Sequence, residues 1–162
     1  MTETLSIRRT KSIFEEIDRM HDRVMNRAYE IFSGNGGLFG RATDDWLQAE
    51  RELVWQPAIE LEENDNQLRL QLAAPGVDPN DIDIQVTPDD ILVKADIHHE
   101  HQEKKGEVYA CEFASGNLFR SIHLPKKIDP DKVKAEFKNG ILTMKAPVAE
   151  EVRRRKVAAE AA

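Results

Sequence analysis

Three histidines in one short stretch are the strongest candidate for metal chemistry in the sequence. They lie in His98-His99-Glu100-His101, and the histidine imidazole is the commonest metal ligand near neutral pH. Adjacent residues on a strand point to opposite faces, however, and the cysteine partners of a structural zinc site are absent. We therefore expect a polar loop here and no bound metal at His98, His99 or His101.

Cys111 is the candidate nucleophile, since it is the one cysteine of the chain. It shares strand parity with Tyr109 and Phe113, which predicts a small buried side chain rather than a reactive thiol. No segment resembles a nucleophile elbow, and the glycines of residues 34–40 lack the Lys-Ser/Thr ending of a phosphate loop. A Ser-His-Asp set stays open on composition alone. The sequence predicts a protein that is not an enzyme and holds no cofactor.

Arg120 is a charged residue at a position where its guanidinium would need a partner of opposite charge. It shares strand parity with Leu118 and Ile122, so alternation turns its guanidinium toward the apolar side. An unpaired inward charge costs roughly several kcal/mol. Two alternatives remain: a strand end or bulge that returns Arg120 to water, or an interface arginine held in a bidentate pair by a carboxylate.

The length and composition limit the functional classes to which this protein could belong. The chain has 162 residues and a net charge of −7, which suits one domain with flanking segments and argues against a nucleic-acid binder. The basic run at 153–156 has no interleaved aromatic residues and is expected to be a solubilising tail. No apolar run approaches the roughly 18 residues of a membrane span, and no signal-peptide core is evident. We expect a cytoplasmic protein without membrane insertion.

Residues 1–32 predict an amphipathic helix. Ser12 and Glu15 form a capping-box pattern, and Gly34 is a suitable stop. Two alternatives stay open for this helix: packing on its own domain or on a copy of itself, or a mobile adhesive arm. The apolar residues recur at helical spacing. They are Ile13, Ile17, Met20, Val24 and Ile31, with Phe14, Met25 and Tyr29 widening the stripe.

Residues 53–147 change to period-two alternation, which predicts strands with one buried face and one wet face. Asn139-Gly140 between two such runs is a strong hairpin signal. Several short strands of this kind indicate an all-β fold, an immunoglobulin-like antiparallel β-sandwich. We divide the chain into an arm (1–52), the sandwich (53–147) and a flexible tail (148–162). The residues expected on the buried faces are Leu68, Leu70, Leu72, Ile82, Ile84, Val86, Ile91, Val93, Ala95, Ile97, Leu118, Ile122, Leu124, Val133, Ala135, Phe137, Leu142 and Met144.

Three segments in this order resemble the α-crystallin domain of the small heat-shock proteins, over about residues 55–147. The first is Ala74-Pro75-Gly76-Val77 followed by Ile82-Asp83-Ile84, the second is Leu118–Pro125 with its arginine, and the third is Ala135–Leu142 with its Asn-Gly turn. The resemblance implies a sandwich of seven or eight strands.

The resemblance also implies a dimer formed by strand exchange. In the non-animal branch of the family, the loop after the strand at 91–97 carries an extra strand into the partner subunit. Here residues 107–113 would pair beside the partner's strand at 55–61, which covers an edge that is otherwise prone to aggregation. The implied interface residues are Trp55, Ile59, Glu107, Tyr109, Phe113 and Arg120.

Family members assemble further through an isoleucine-x-isoleucine/valine motif in the tail. It docks in a groove between the strands matching 82–86 and 133–138, where Ile84, Val86, Val133 and Phe137 would line it. This chain departs from that pattern, because Val157 is the first anchor and Ala159 stands at the second. One docked aliphatic side chain contributes roughly 1.5–3 kcal/mol, so we expect weak tail docking. The higher homo-oligomer would then be looser, or the arm would carry more of it.

The implied function is that of a holdase, an ATP-independent chaperone that binds unfolding proteins and prevents their aggregation under stress. Refolding would be left to ATP-dependent chaperones. Two rivals stay open: a β-sandwich adaptor for one defined partner, and a membrane-surface protein that uses the helix at 12–32. The expected client-binding residues are Phe14, Ile17, Phe32, Leu38, Phe39 and Trp46.

Overall fold

Alternating apolar and polar residues form most of the short strands, and eight of the ten described strands follow two helices. The computed structural model describes residues 2–37, 40–97, 106–110 and 116–151. The elements in these ranges are β1 (Glu3–Leu5), β2 (Arg8–Arg9), α1 (Phe14–Gly34), α2 (Ala42–Leu53), β3 (Val54–Trp55), β4 (Ile59–Asn64), β5 (Gln67–Ala73), β6 (Ile82–Val86), β7 (Asp90–Ile97), β8 (Gly116–His123), β9 (Lys134–Lys138) and β10 (Ile141–Pro147).

The strands form two five-stranded sheets that pack face to face. Sheet A has the order β1-β9-β10-β5-β4 and sheet B the order β2-β6-β7-β8-β3. The longer strands pair antiparallel, whereas the two-residue strands β2 and β3 pair parallel with β6 and β8. The predicted antiparallel sandwich with a helical amino-terminal region is therefore confirmed.

The buried faces follow the predicted parity. Leu70 and Met144 face each other across β5 and β10, and both are buried. Ile84 and Val93 do the same across β6 and β7. These residues lie in one cluster between the sheets, as expected for the inner faces of a sandwich.

Two tight turns set the strand registers in sheet A. Asn139 and Gly140 have φ of +52° and +77°, the left-handed pair that the Asn-Gly signal predicts between β9 and β10. Asp65 and Asn66 adopt the same pair of signs, with φ of +50° and +59°, between β4 and β5. The second turn carries no glycine, and the sequence analysis did not identify it.

The helical region differs from its prediction in three ways. The helix expected over 1–32 is wrong for its first residues, because 3–5 and 8–9 are strands and α1 begins at Phe14. Ser12 still accepts a hydrogen bond from the Phe14 amide at 3.1 Å, and α1 ends at Gly34 as predicted. The helix α2 was not expected. The three residues thought to widen the buried stripe, Phe14, Met25 and Tyr29, are instead exposed.

The helices cover part of the outer face of sheet B. Ile13, Leu92 and Phe119 form a second apolar cluster there, and all three are buried. The expectation of one wet face on every strand is therefore wrong at β7 and β8, since α1 shields Leu92 and Phe119 from water. Of the two alternatives for the helix, the structure has it packed on its own domain.

Candidate functional site

The groove between the edges of β6 and β9 is filled by the amino-terminal segment, which we define as residues 3–9. In this segment β1 pairs antiparallel with β9, placing Leu5 opposite Ala135, and β2 pairs parallel with β6, placing Arg9 opposite Val86. One extended peptide therefore crosses from one sheet to the other. Its backbone pairs both edge strands that would otherwise be open.

Two aliphatic side chains anchor this segment. Leu5 and Ile7 are half-buried and pack against the main core. Thr4, which precedes Leu5, and Ser6, which lies between the two anchors, are exposed. This alternation is what an extended peptide requires to direct one face inward. The spacing is aliphatic-x-aliphatic, the pattern that the sequence analysis had sought in the tail.

Two arginines clamp the carboxyl end of the segment. The guanidinium of Arg8 makes two hydrogen bonds to the Asp83 carboxylate of β6, one of them at 2.8 Å from Nε. Arg9 pairs with Asp131, which lies in the short turn before β9. The amide of Thr10 then donates to the Val86 carbonyl at 3.0 Å. The segment thus has charge contacts with β6 and with the turn before β9, in addition to its strand pairing with both sheets.

The pKa of Asp83 reflects its contacts with Arg8 and with its neighbours on sheet B. Partial burial would raise the pKa, but hydrogen bonds from Arg8 and Gln85 and the charges of Arg8 and Lys94 outweigh it. The pKa of the carboxyl therefore lies below its ordinary value, and Asp83 is charged at neutral pH. The pKa of the Arg8 guanidinium is raised by its hydrogen bonds to Asp83 and by the charge of that carboxylate.

The expected groove residues lie in β6, in β9 and directly before β9. Ile84, Val86 and Phe137 are buried and Val133 is half-buried, all at the side of the core that the segment covers. The expected tail anchor, Val157, lies outside the described residues, so its docking stays a prediction.

The expected client-binding residues differ in how far their side chains are exposed. Phe14 is 66% exposed, and the rings of Phe32 and Tyr29 lie 6.4 Å apart with Phe32 half-buried. Ile17 is half-buried and packs on the cluster of Leu92 and Phe119. Leu38 and Phe39 lie outside the described residues.

Trp46 belongs to the contact between the two helices. It packs on the buried side chains of Val24 and Ala49, its ring lies 5.0 Å from that of His21, and its Nε1 donates to Glu50 at 3.2 Å. This half-buried indole therefore helps to hold α2 against α1.

A second apolar stripe on α1 faces water, and its three members define the exposed stripe: Phe14, Met25 and Tyr29. Their exposed fractions are 66%, 48% and 69%. With about 100° of rotation per residue, these positions lie within about 60° of one another on the helix. The sequence analysis missed Met25 and Tyr29 as surface residues because their spacing also suits the edge of a buried face.

The expected dimer residues lie in two places. Trp55 and Ile59 are half-buried against the core, and Trp55 pairs with Leu118 of its own chain. Glu107 and Tyr109 lie in 106–110, where Tyr109 is 92% exposed and donates to Glu107 at 3.2 Å. Phe113 and Cys111 lie outside the described residues.

Arg120 lies in β8 opposite Val93 and is half-buried, so it does not point fully inward. It lines a cleft of about 370 Å³ together with Trp46 and Gln56. No carboxylate in the described ranges is within ion-pairing distance of it. The cleft leaves its guanidinium available to a further partner.

The described part of the chain holds no cluster of three metal-ligating side chains. His98, His99 and His101 lie outside the described residues. No helix among the described elements has the length and apolar character of a membrane span.

Comparison with known proteins agrees with the geometry. Residues 60–159 match the model of the Hsp20/alpha crystallin family. Residues 19–54, which include most of α1 and all of α2, match a family of unknown function, DUF2934. The sandwich and the helical layer thus match different families.

Individual relatives match about two thirds of the chain. The spore protein SP21 of Stigmatella aurantiaca is 34% identical over 101 residues, covering 62% of this chain and 60% of the relative. Small heat shock protein C2 of Rickettsia felis is 32% identical, covering 67% of this chain and 69% of the relative. The matched region thus spans only about three fifths of the Stigmatella protein.

Solved structures give the same result. Heat shock protein 16.0 of Schizosaccharomyces pombe superposes with a TM-score of 0.55 at 26% identity, over 59% of this chain and 88% of that one. A small heat-shock protein of Xylella fastidiosa gives 0.52 at 28% identity, over 58% and 86%. The family match covers more than half of the chain. The motif segments quoted in the sequence analysis lie in or beside the strands of the sandwich. The chain belongs to the Hsp20/alpha crystallin family of small heat-shock proteins.

Proposed function

We propose that the protein is an ATP-independent holdase, which binds unfolding proteins in the cytoplasm and keeps them from aggregating under stress. Membership in the small heat-shock protein family supports this function. Clients released from the holdase would pass to ATP-dependent chaperones for refolding. The proposed division of labour gives client contact to the arm (1–52), assembly to the sandwich (53–147) and weak docking to the tail (148–162).

The exposed stripe carries the proposal, because apolar groups in water are what an unfolding client can bury. Three large exposed side chains on one helix face offer a client several apolar contact points. Each weak contact contributes on the order of 1–3 kcal/mol. A net charge of −7 would keep the loaded complex in solution.

The half-buried members of the expected client site would act later than Phe14. Ile17 and Trp46 are held by Leu92, Phe119 and α2, so they become available only when the helices lift from sheet B. Heating favours such local opening over loss of the sandwich, because the helical layer has its own small clusters. Leu38 and Phe39 would extend the same apolar surface.

Assembly would multiply these contacts. We propose that residues 107–113 pair beside the partner's strand at 55–61, with Arg120 at the interface. The exposed fractions of Val108 (57%) and Tyr109 (92%) support this role, since both side chains can be buried against a partner without leaving the core of their own chain. An oligomer that displays many stripes can raise avidity by roughly 10²–10⁴.

The experiment compares wild type with a chain changed in the exposed stripe and with a control chain. Phe14→Ser, Met25→Ser and Tyr29→Ser are combined in one variant, and aggregation of a heat-labile enzyme is followed by light scattering without ATP. The matched control is Asp18→Ser with Asp22→Ser, which changes exposed polar residues of the same helix. We expect the stripe variant to lose most protection and the control to keep it. Equal protection by both would move client binding to the sandwich.

A further inference from the structure

Three cations lie side by side on the outer face of sheet A. The register places Lys134 of β9 opposite Lys145 of β10, and Lys145 opposite Arg69 of β5. All three side chains are exposed. Neighbouring strands lie about 4.8 Å apart, so this cationic row, defined as Lys134, Lys145 and Arg69, is about 10 Å long. Because like charges directly opposite each other destabilise a sheet, the row lowers the stability of the chain on its own.

The chain neutralises only one end of the cationic row. Arg69 pairs with Glu62 at 3.2 Å, and both side chains are open to water, which makes the pair weak. Within the described ranges, no carboxylate lies within ion-pairing distance of Lys134 or Lys145. Two facing ammonium groups therefore have no counter-charge in this part of the chain.

Two ordinary reasons for surface lysines do not explain this pair. Lysines protect the open edge of a sheet from pairing with other chains, but β9 has β1 on one side and β10 on the other. Lysines also raise solubility through net charge, but this chain has a net charge of −7, which each lysine reduces. A bound anion, in contrast, would supply the missing counter-charge.

A depression of about 660 Å³ lies over this part of the sheet. Lys132, Lys134 and Lys145 line it, and Thr143 and Gln67 add a hydroxyl and an amide as neutral donors. Lysine ammonium groups bind phosphate as point charges. The depression thus combines several hydrogen-bond donors with the two ammonium groups that have no counter-charge.

The surroundings limit the ligand to a compact anion. Asp131 and Glu136 also line the depression, the first in a pair with Arg9, and β4 brings Glu60 and Glu62 to the far side of the same face. These carboxylates would repel an extended polyanion or an anionic bilayer. The described residues that line the depression include no aromatic side chain, so nucleic-acid bases would have nothing to stack on.

We propose that the depression beside Lys134 and Lys145 binds a compact oligophosphate, an anion with several phosphate groups within about 10 Å. Binding neutralises the cationic row and stabilises the sandwich by mass action. The site is separate from the proposed client contact, because the exposed stripe lies on α1, which packs on sheet B.

Calorimetric titration of the full-length chain with sodium tripolyphosphate at low ionic strength measures this binding. The site variant combines Lys134→Gln with Lys145→Gln. The matched control combines Lys11→Gln with Lys127→Gln, which removes the same charge from exposed positions outside the depression. We expect the site variant to bind at least about tenfold more weakly than wild type, as for loss of hydrogen bonds to a charged group. The control should bind as wild type does.

Thermal unfolding separates a binding role of Lys145 from a structural one. Lys145→Glu places a carboxylate between Lys134 and Arg69, so without the anion it should raise Tm by about 1–4 °C. The same variant should lose tripolyphosphate binding. A lower Tm would mean that Lys145 serves the fold itself and would count against the site.

Several other outcomes would overturn the proposal. Equal affinity of the site and control variants would be one, and equal stabilisation of wild type by sodium chloride at the same ionic strength would show an adventitious ion only. Tighter binding of a single-stranded oligonucleotide, or of vesicles that contain phosphatidylserine, would overturn it as well if the site variant lost that binding. The ligand would then be an extended polyanion or a lipid surface rather than a compact oligophosphate.

Discussion

The ammonium group of Lys94 donates a hydrogen bond to Glu16 Oε2 at 2.9 Å, across 78 positions of sequence. This contact joins α1 to β7 and lies beside Asp83, whose Oδ2 is 3.6 Å from the same ammonium group. The helix and the amino-terminal segment are therefore fixed to sheet B through one charge network. Release of the helix and release of the segment should influence each other.

Acid should weaken this helix contact. The hydrogen bond from Lys94 lowers the pKa of Glu16 below its ordinary value of 4.5, and the charges of Lys94 and Arg19 act in the same direction against partial burial. A carboxyl with a lowered pKa stabilises the fold above its unfolded pKa, and that contribution is lost as the pH falls through the folded pKa. We expect the loss below about pH 4.5.

Urea unfolding of wild type and Glu16→Gln between neutral and acidic pH measures this contribution. The variant should be less stable at neutral pH by on the order of 1 kcal/mol or less, because the pair is partly open to water. The difference should disappear at the acidic end. Glu15→Gln is the control, since the Glu15 side chain is 86% exposed. A difference that does not change with pH would contradict the ion pair.

The turn between β9 and β10 should not tolerate a side chain at its second position. Gly140 has a φ of +77°, and a Cβ there would lie 3.1 Å from Pro75 Cα. Gly140→Ala should therefore destabilise the fold by more than about 1 kcal/mol in thermal or urea unfolding. The control is Gly34→Ala at the end of α1, where a Cβ meets nothing within 4 Å. Similar effects of the two changes would contradict the turn geometry.

Arg120→Gly should loosen the proposed dimer. The guanidinium lies half-buried in a cleft beside Gln56, close to the strand proposed to receive the partner. We expect the dimer dissociation constant from analytical ultracentrifugation to rise by about tenfold or more, as for loss of a charged interface hydrogen bond. Arg69→Gly in β5 provides the same change in backbone freedom on another sheet. An unchanged dissociation constant would place Arg120 outside the interface.

The sandwich could be predicted from the sequence because its signals are long and redundant. Six alternating runs agree with one another, and Asn139-Gly140 defines a turn that only a left-handed residue pair can make. The outer face of sheet B was missed, although Ile91-Leu92-Val93 and Leu118-Phe119 place apolar residues on both faces of a strand. Such unbroken runs indicate a strand that is covered on both sides.

The groove occupant could not be predicted from local pattern. Leu5-Ser6-Ile7 is a single alternation, which is too short to separate a strand from the start of a helix. Its assignment depends on Asp83 and Asp131, which lie 75 and 122 positions away from their arginines. The groove was expected from the family resemblance, and the sequence analysis looked for its ligand only in the tail.

The most direct test of holdase function is light scattering of a heat-labile enzyme, heated without ATP and with increasing amounts of this protein. We expect aggregation to fall in proportion to the chaperone added and to be suppressed near stoichiometric amounts, for several unrelated enzymes. Undiminished aggregation at stoichiometric excess, from a chain shown by circular dichroism to be folded, would contradict holdase activity. That result would instead favour an adaptor for one defined partner.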